Sequence, residues 1–405
     1  MNYRYLTIRP RDPLIFRDAR PFGFGQRMKT LSWPYPSVLA GSLRTFLGKQ
    51  AGYTFTTSEA ETLRTVEVAG PFAWFQNTIW FPAPKDCVIR TDGGKKEIFR
   101  VIPMRNDELS GCGCNLPDGV QVPTTLSPTP DDEFKPAQVP PLWSQELMVQ
   151  WLITPSGDVS PLLVNETENR KPQTISLPPR DYRTHVKIDP KFGSSAESML
   201  FETAGLDFTQ MTSPEGLQIT ARVNIPPGDL EQASLCGLHP FGGKRRLAEW
   251  NTTMNAQSWA CPDEVTAALC RSRLVRLVLA TPALFTNGWY PGWLSAEDGY
   301  RTGRPPGADE TVQLRLISAC IGRYEPLSGW NMERVNNKEK GAKPLRRMVP
   351  AGSVYYFEYI GEGDPKTLAN LWLMSVCDNE PDRLDGFGLA LWGIWEYGTD
   401  VDGVV

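Results

Sequence analysis

A short segment at residues 180–190 carries residue types that bind nucleic acid. It reads Arg-Asp-Tyr-Arg-Thr-His-Val-Lys-Ile-Asp-Pro and holds Arg180, Arg183, His185 and Lys187 within eight positions. Arginine and lysine contact phosphates, and Tyr182 or His185 could stack on an RNA base. In a β-strand alternate side chains share a face, so Arg183, His185 and Lys187 would point the same way. An ordinary solvent-facing strand shows the same alternation, so the pattern alone leaves both interpretations open.

Other basic groups lie far from this segment in the chain. Residues 1–50 hold nine Lys or Arg against two Asp, and Arg17 and Arg20 are candidates for phosphate binding. Gly242-Gly243 precede three consecutive cations, namely Lys244, Arg245 and Arg246. A further basic stretch at 334–347 contains acidic and polar residues and is interpreted as a solvated insertion. A surface neutralised by acidic regions elsewhere would produce the same local excess of charge.

Near the end of the chain, Gly386-Phe387-Gly388 stands immediately before an apolar run. Two glycines permit backbone conformations closed to other residues and leave amide N–H groups uncovered, so this loop could hold an RNA backbone. A tight turn into a β-strand uses the same residues, and this alternative remains open.

Catalytic motifs are missing from the sequence. Only His185 and His239 are present, and there is no HExxH, no P-loop and no nucleophile elbow. Cys112-Gly-Cys114 lacks a matching pair and is interpreted as loop thiols. A zinc hydrolase or a nucleotide-hydrolysing site therefore lacks its usual parts, and neither a metal nor a cofactor is expected. The enzymatic alternative is a metal-independent ribonuclease with His185 as general base and a lysine stabilising charge.

Length and composition limit the class of protein. A chain of 405 residues with 40% hydrophobic residues predicts two globular domains. The net charge of −4 argues against a uniformly basic nucleic-acid binder. Eight cysteines in this length favour reduced thiols rather than a disulfide framework. No apolar run approaches the roughly 18 residues that span a bilayer, so a cytoplasmic protein without a membrane partner is expected.

The predicted elements describe an α+β protein. Alternation predicts a strand at residues 3–8, a helix after an N-cap at Ser37, and a hairpin around 88–102. The Pro-rich stretch 115–142 is predicted to be a long loop. The second half predicts strands at 217–225, 274–280, 312–321, 353–360 and 389–396, with a helix at 365–376. This order favours βαββαβ domains with antiparallel sheets over a doubly wound parallel sheet.

Several motifs, in order from about residue 5 to 395, resemble one family. They are Arg11-Asp-Pro-Leu-Ile-Phe-Arg-Asp-Ala-Arg-Pro-Phe-Gly23, WPYPSVLAGSLRT, THVKIDPKFGSSAESMLFET, GGKRR, ATPALFTNGW, VPAGSVYYFE and the terminal DGFG. Together they resemble the third Cmr subunit of type III-B CRISPR effector complexes, within the RAMP superfamily. The glycine-rich loop is shared across that superfamily and is less specific than the first block.

The resemblance implies two ferredoxin-like, RRM-like RAMP domains with long loop insertions, placed at 1–215 and 216–405. It also implies a non-catalytic subunit that binds the crRNA 5′ tag in antiviral defence. The implied protein partners are the large polymerase/cyclase-like subunit and an adjacent backbone RAMP subunit. An RNA-processing endoribonuclease of the same superfamily is one alternative. A protein–protein adaptor without RNA contact, using the Trp-rich loop 287–293, is another.

Overall fold

A computed structural model describes residues 3–18, 30–92, 95–104, 116–125, 134–155, 171–210, 216–331 and 341–398. The fold is mixed α/β, with antiparallel sheets and few helices. The strands are β1 Tyr3–Pro10, β2 Glu67–Phe75, β3 Thr78–Pro82, β4 Cys87–Asp92, β5 Lys95–Pro103, β6 Pro123–Thr125, β7 Leu142–Ser144, β8 Thr174–Ile175, β9 Arg180–Ile188, β10 Ser195–Leu206, β11 Gln218–Asn224, β12 Gly237–Pro240, β13 Leu247–Thr253, β14 Leu274–Leu279, β15 Leu294–Glu297, β16 Tyr300–Gly303, β17 Leu314–Cys320, β18 Glu325–Leu327, β19 Trp330–Asn331, β20 Gly341–Ala342, β21 Arg346–Met348, β22 Val354–Tyr359 and β23 Ala390–Ile394. The α-helices are α1 Pro36–Gln50, α2 Thr57–Arg64, α3 Gln145–Ile153, α4 Asp263–Leu269 and α5 Glu380–Leu384.

The chain forms two compact units, each assembled from separate stretches of sequence. The first comprises residues 1–77, 177–254 and 325–348, and the second comprises 78–176, 255–324 and 349–405. This division differs from the predicted one at 215/216, because β11 pairs with both β1 and β2. These pairings bind residues 218–224 to the N-terminal strands.

The first unit is built on an antiparallel sheet in which strand order departs from chain order. Its strands lie in the order β12-β13-β1-β11-β2. Leu6 and Ile8 of β1 are fully buried, as the alternation in the sequence predicts. On α1 the buried positions Leu39, Leu43 and Leu47 follow the spacing of one helical face.

Helix α1 begins two residues earlier than predicted. Pro36 occupies the first helical turn and Tyr35 is the N-cap, so Ser37 lies inside the helix. Proline suits this position because it has no N–H to leave unpaired and its φ is already helical. No side chain caps the helix.

The hairpin formed by β9 and β10 belongs to the first unit and is anchored at its base. Leu14 and Leu206 exchange two backbone hydrogen bonds, of 2.9 and 2.7 Å. Gly205 makes this approach possible, since a Cβ there would lie 2.8 Å from Cβ of Pro13. The base of the hairpin is therefore fixed to the segment that follows β1.

The second unit contains a six-stranded antiparallel sheet in the order β15-β16-β17-β22-β14-β23. Its central strands β14 and β22 are almost wholly buried. The predicted hairpin around 88–102 is confirmed as β4 and β5, and β6 extends it. The predicted helix at 365–376 is a 3-10 helix ending at Leu371, because Trp372 is extended. No helix in the described ranges is long and apolar enough to cross a membrane.

Candidate nucleic-acid interface

One face of the β9–β10 hairpin carries the predicted cations together with an aromatic ring. His185 lies directly opposite Phe201 in the strand register, and the two rings stack with centroids 5.2 Å apart and planes 18° apart. Nε2 of His185 lies 2.8 Å from Oγ1 of Thr203. The imidazole is therefore held flat against a phenyl ring that is 46% exposed. Such a pair offers a π-surface on which a nucleic-acid base can stack.

The arginines of β9 are held at defined places. Nε of Arg183 donates to Oδ2 of Asp181 at 2.7 Å, which shows that these two side chains share a face, as alternation requires. Nη2 of Arg180 donates to the backbone oxygen of Thr30 at 3.2 Å. Thr30 in turn forms a β-bridge with Arg17. Arg17 and Arg180 therefore both contact Thr30 and lie near each other. Lys187 is exposed further along the strand.

The GGKRR loop joins β12 to β13 and is held by contacts with Ile15 and Phe16. Phe241 is fully buried, edge-on to Phe16 at 5.3 Å, and the N–H of Gly243 donates to the oxygen of Ile15 at 2.7 Å. Gly242 has a φ of +83°, and a Cβ there would lie 2.7 Å from the oxygen of Ile15. Only glycine fits this close approach. Phe241, Gly242 and Gly243 therefore anchor the loop.

Two of the three cations of this loop are exposed, whereas Arg246 is half-buried. Lys244 and Arg245 are exposed and have φ values of 60° and 53°, a conformation that costs non-glycine residues about 1 kcal/mol or more each. Nζ of Lys244 lies 6.0 Å from the ring centroid of Phe201. The loop and the hairpin therefore form one surface, although 43 positions separate Lys244 from Phe201 in the sequence.

A groove of about 540 Å³ opens beside the loop. One wall is α1, whose contributing residues are mostly small, and the opposite wall is the 15–17 segment with the backbone of Gly242 and Gly243. Arg17 and Lys49 supply positive charge, and Gly41 faces open space, since a Cβ there would meet nothing within 4 Å. The lining residues are Ile15, Phe16, Arg17, Ser37, Val38, Gly41, Ser42, Thr45, Lys49, His239, Pro240, Gly242 and Gly243.

His239 forms part of the floor of this groove. Its ring stacks on Phe46 at 4.8 Å and meets Trp250 edge-on, and the residue is 5% exposed. Burial, followed by the charge of Lys49, lowers the pKa of His239 to about 4. The groove floor is therefore neutral at physiological pH, and the charge lies with Arg17 and Lys49.

The buried imidazole makes the stability of the protein depend on pH. Below its ordinary pKa of 6.5 the unfolded chain binds a proton at His239, whereas the folded chain does so only near pH 4. Stability contributed by the neutral ring is therefore lost as pH falls through this window, by up to about 3 kcal/mol. Urea titrations at pH 7 and pH 4.5 should show a smaller acid loss for His239→Gln than for the parent. Equal losses would contradict this assignment.

The structure brings together most of the sequence-predicted cations. All of the described ones belong to the first unit. Arg17 lines the groove, and Lys244 lies beside Phe201 of the hairpin. The others lie on β9 or in the GGKRR loop, namely Arg180, Arg183, His185, Lys187, Arg245 and Arg246. Arg20 lies outside the described residues. Sequence reasoning missed Phe201 and Lys49. The regular alternation of Phe201 with Thr203, after the turn-forming stretch that follows Ile188, is the signal that could have paired Phe201 with His185.

The glycine-rich loop differs from its predicted role. Gly386, Phe387 and Gly388 are buried, and their N–H groups donate to the backbone oxygens of Arg383, Asp382 and Pro282 at 3.0, 3.1 and 2.8 Å. The φ values of Gly386 and Gly388 are 88° and 66°, so glycine is required here for a tight turn into β23. In this structure the three amides are used within the chain and are not offered to a phosphate.

The Trp-rich loop 287–293 is also less open than predicted. The carboxylate of Asp378 accepts hydrogen bonds from Thr286 and from the N–H of Gly292. The indole of Trp293 donates to the oxygen of Val376 at 3.0 Å, and Trp289 is half-buried.

Cys112 and Cys114 fall outside the described residues. In the part of the chain that the structure describes, no cluster of three His, Cys, Asp or Glu could hold a metal ion.

The chain is similar to chains in three solved structures. Two are cryo-EM structures of the type III-B Cmr-beta: one, bound to cognate target RNA and AMPPnP, shows 14% identity over 87% of this chain and 86% of that chain, with a TM-score of 0.46. The other, bound to cognate target RNA, shows 15% identity over 87% and 86%, with a TM-score of 0.44. The third, a crystal structure of a Csm3-Csm4 subcomplex of the type III-A interference complex, shows 11% identity over 88% and 94%, with a TM-score of 0.34.

No curated protein sequence matches the chain. A family model described as CRISPR-associated protein (Cas_Cmr3) matches residues 6–395. Because this match spans nearly the whole sequence, the chain belongs to the Cas_Cmr3 family of CRISPR-associated proteins.

Proposed function

We propose that this protein is the third, non-catalytic Cmr subunit of a type III-B CRISPR effector complex and binds the 5′ tag of the crRNA. The observation that carries the proposal is the convergence in the first unit of cations that the sequence scatters over positions 17, 180–187 and 244–246. Phosphates would lie along Arg17, Lys49 and the loop cations. Unstacked tag bases would pack on Phe201 and His185, since single-stranded RNA offers its base faces directly.

The strand orders support the proposal that each unit is a ferredoxin-like RAMP domain. Numbered along the chain, β1, β2, β11 and β13 lie in the order 4-1-3-2, as do β14, β17, β22 and β23 in the second unit. A helix follows the first strand in the first unit, and α5 precedes the last strand in the second. Each unit thus contains part of the βαββαβ plan.

The proposal is tested by titrating the purified chain with a single-stranded RNA that carries the tag. Tight binding should weaken with salt, with log K falling by about 0.7 per neutralised phosphate for each tenfold rise in salt. A scrambled RNA of equal length should bind less tightly, because base stacking and edge contacts distinguish sequences. Equal affinity for both RNAs would contradict tag recognition, and absence of binding by the assembled complex would contradict the RNA role.

Filling the groove should weaken RNA binding without weakening the fold. Gly41→Glu places a carboxylate where a Cβ meets no neighbour, and it removes a glycine from the interior of α1, which favours the helix. We expect affinity for tag RNA to fall at least about fivefold, while the unfolding midpoint is unchanged or higher. Gly41→Ala is the matched control and should bind RNA like the parent. Unchanged affinity of Gly41→Glu would exclude the groove from the RNA path.

We propose as partners the large polymerase/cyclase-like subunit and an adjacent backbone RAMP subunit, in cytoplasmic antiviral defence. Family membership supports this assembly, and co-purification with a guide RNA and these subunits tests it. Crosslinking within the assembled complex separates an RNA-binding subunit from a protein–protein adaptor, because the adaptor would form no crosslink to the RNA.

An RNA-processing endonuclease is the second candidate. It is favoured by His185, which is half-buried and shares a hairpin face with Arg183 and Lys187. Incubation with repeat RNA in EDTA should leave the RNA intact if the chain only binds. Defined cleavage that disappears in His185→Ala would favour the enzyme.

A further inference from the structure

The second unit contains a carboxylate that is completely buried. Asp86 is 0% exposed and forms an ion pair at 2.8 Å with Nη1 of Arg276, which is 2% exposed. Nε1 of Trp151 donates to the other carboxylate oxygen at 2.9 Å, and the hydroxyl of Tyr356 lies 3.2 Å from the first. The acceptor capacity of Asp86 is therefore largely used by these three neighbours.

A second guanidinium lies in the same cluster without an ion pair of its own. The guanidinium carbon of Arg100 lies 3.5 Å from the ring centroid of Trp151. No described residue accepts a hydrogen bond from the buried Nη1 and Nη2 of Arg100, or from the buried Nε and Nη2 of Arg276. The two guanidinium groups therefore contain four buried nitrogen atoms whose N–H groups have no hydrogen-bond acceptor among the described residues.

The cluster carries an excess of positive charge. Burial and the nearby Arg276 lower the pKa of Arg100 to about 9, so this side chain is still protonated at neutral pH. Burial and Asp86 raise the pKa of Tyr356, and burial raises the pKa of Cys320 to about 12 and that of Cys87 as well. These three groups are therefore neutral, and Asp86 is the one carboxylate among the described residues that pairs with either guanidinium ion. An uncompensated buried charge is strongly destabilising, and so are unpaired buried donors.

We propose that Arg100 and Arg276 together bind a small monovalent inorganic anion, such as chloride, inside the second unit. Such an anion balances the second guanidinium charge and accepts hydrogen bonds from the four unsatisfied nitrogen atoms. A water molecule could accept some of these bonds but would leave the charge uncompensated. The site is separate from the RNA-binding role and takes a different ligand.

Thermal unfolding of the full chain in sodium chloride and in sodium gluconate, at equal ionic strength, tests the proposal. Gluconate supplies the same ionic strength with an anion too large for a dry protein interior. A ligand that binds only the folded state raises the melting temperature, so we expect Tm to be about 3 °C higher in chloride. Bromide should replace chloride, and crystals grown in bromide should show an anomalous peak within hydrogen-bonding distance of both guanidinium groups.

Two variants distinguish a specific site from a general salt effect. Arg100→Met removes the second cation while keeping an apolar stem, a change that buried ion clusters often tolerate. Its Tm should be the same in both salts. Arg273→Met is the matched control, because Nη1 of Arg273 already donates to the oxygens of Tyr359 and Gly361, and it should keep the chloride dependence. Equal Tm values for the parent in the two salts, or an undiminished salt difference in Arg100→Met, would overturn the proposal.

Discussion

Replacing Asp86 with alanine is expected to lower the free energy of unfolding by about 3–5 kcal/mol. The carboxylate is the only negative charge beside Arg276 in the described cluster, and both groups are almost fully buried. Its removal leaves the guanidinium of Arg276 without its ion-pair partner and takes the acceptor from the Trp151 indole. Chemical denaturation of the parent and the variant, followed by tryptophan fluorescence, measures the difference.

Glu249→Ala is the comparison for this prediction. Glu249 also pairs with an arginine, at 2.6 Å from Arg11, but the two side chains are 31% and 54% exposed. Ion pairs at such exposed places contribute about 1 kcal/mol or less, because water and salt screen them. A loss for Asp86→Ala no larger than that for Glu249→Ala would show that the buried cluster does not stabilise the fold.

Reversing Lys244 and Arg245 together to glutamate should weaken the binding of tag RNA by about 10- to 100-fold near physiological salt. Both side chains are exposed, and the residues that anchor their loop, Phe241 and Gly243, are unchanged. The fold should therefore survive while the surface beside Phe201 changes sign. The dependence of log K on log salt should become shallower by about 1.4, which corresponds to two phosphates.

A charge-matched double variant controls for the change in net charge. Arg271 and Arg304 are exposed residues of the second unit, and reversing both to glutamate alters the net charge equally. We expect this variant to bind tag RNA within about twofold of the parent, since neither residue belongs to the proposed RNA surface. If both double variants bind RNA equally well, the GGKRR loop has no role in the RNA site.

Local sequence signals predicted the individual elements well. Alternation identified β1 and the hairpin of β4 and β5, and the i, i+3, i+4 pattern identified the buried face of α1. These signals depend only on neighbours in the chain. The start of α1 was misplaced by two residues because Ser37 is a good cap by type, whereas the conformation of Pro36 decides where the helix begins.

The association of distant segments could not be predicted in this way. Side-chain periodicity says which face of a strand is buried but not which strand lies beside it, so the pairing of β1 with β11 and β13 was missed. The predicted division at 215/216 failed to anticipate the interleaved units for this reason. The same limit applies to the site, where the contact of Lys244 with Phe201 depends on how the loop and hairpin meet.

The glycine-rich loop shows how one pattern can serve two structures. The sequence correctly indicated that Gly386 and Gly388 need conformations that other residues avoid. It could not indicate that the amides of this turn would be used by Asp382, Arg383 and Pro282. Uncovered amides and a buried turn require the same residue types, and only tertiary packing distinguishes them.

The long-range pairing of β1 has a consequence during translation. This strand is made long before its two neighbours, residues 218–224 and 247–253. At roughly 5–20 residues per second, the ribosome needs roughly 12–50 s after β1 to deliver the second neighbour. Until residues 218–224 have been made, β1 has two unpaired edges, and one edge stays unpaired until residues 247–253 follow. Unpaired strand edges are templates for wrong pairing with other chains. We therefore expect shielding of residues 3–10 by the ribosome or a chaperone, until most of the first unit has emerged, to raise the yield of folded protein.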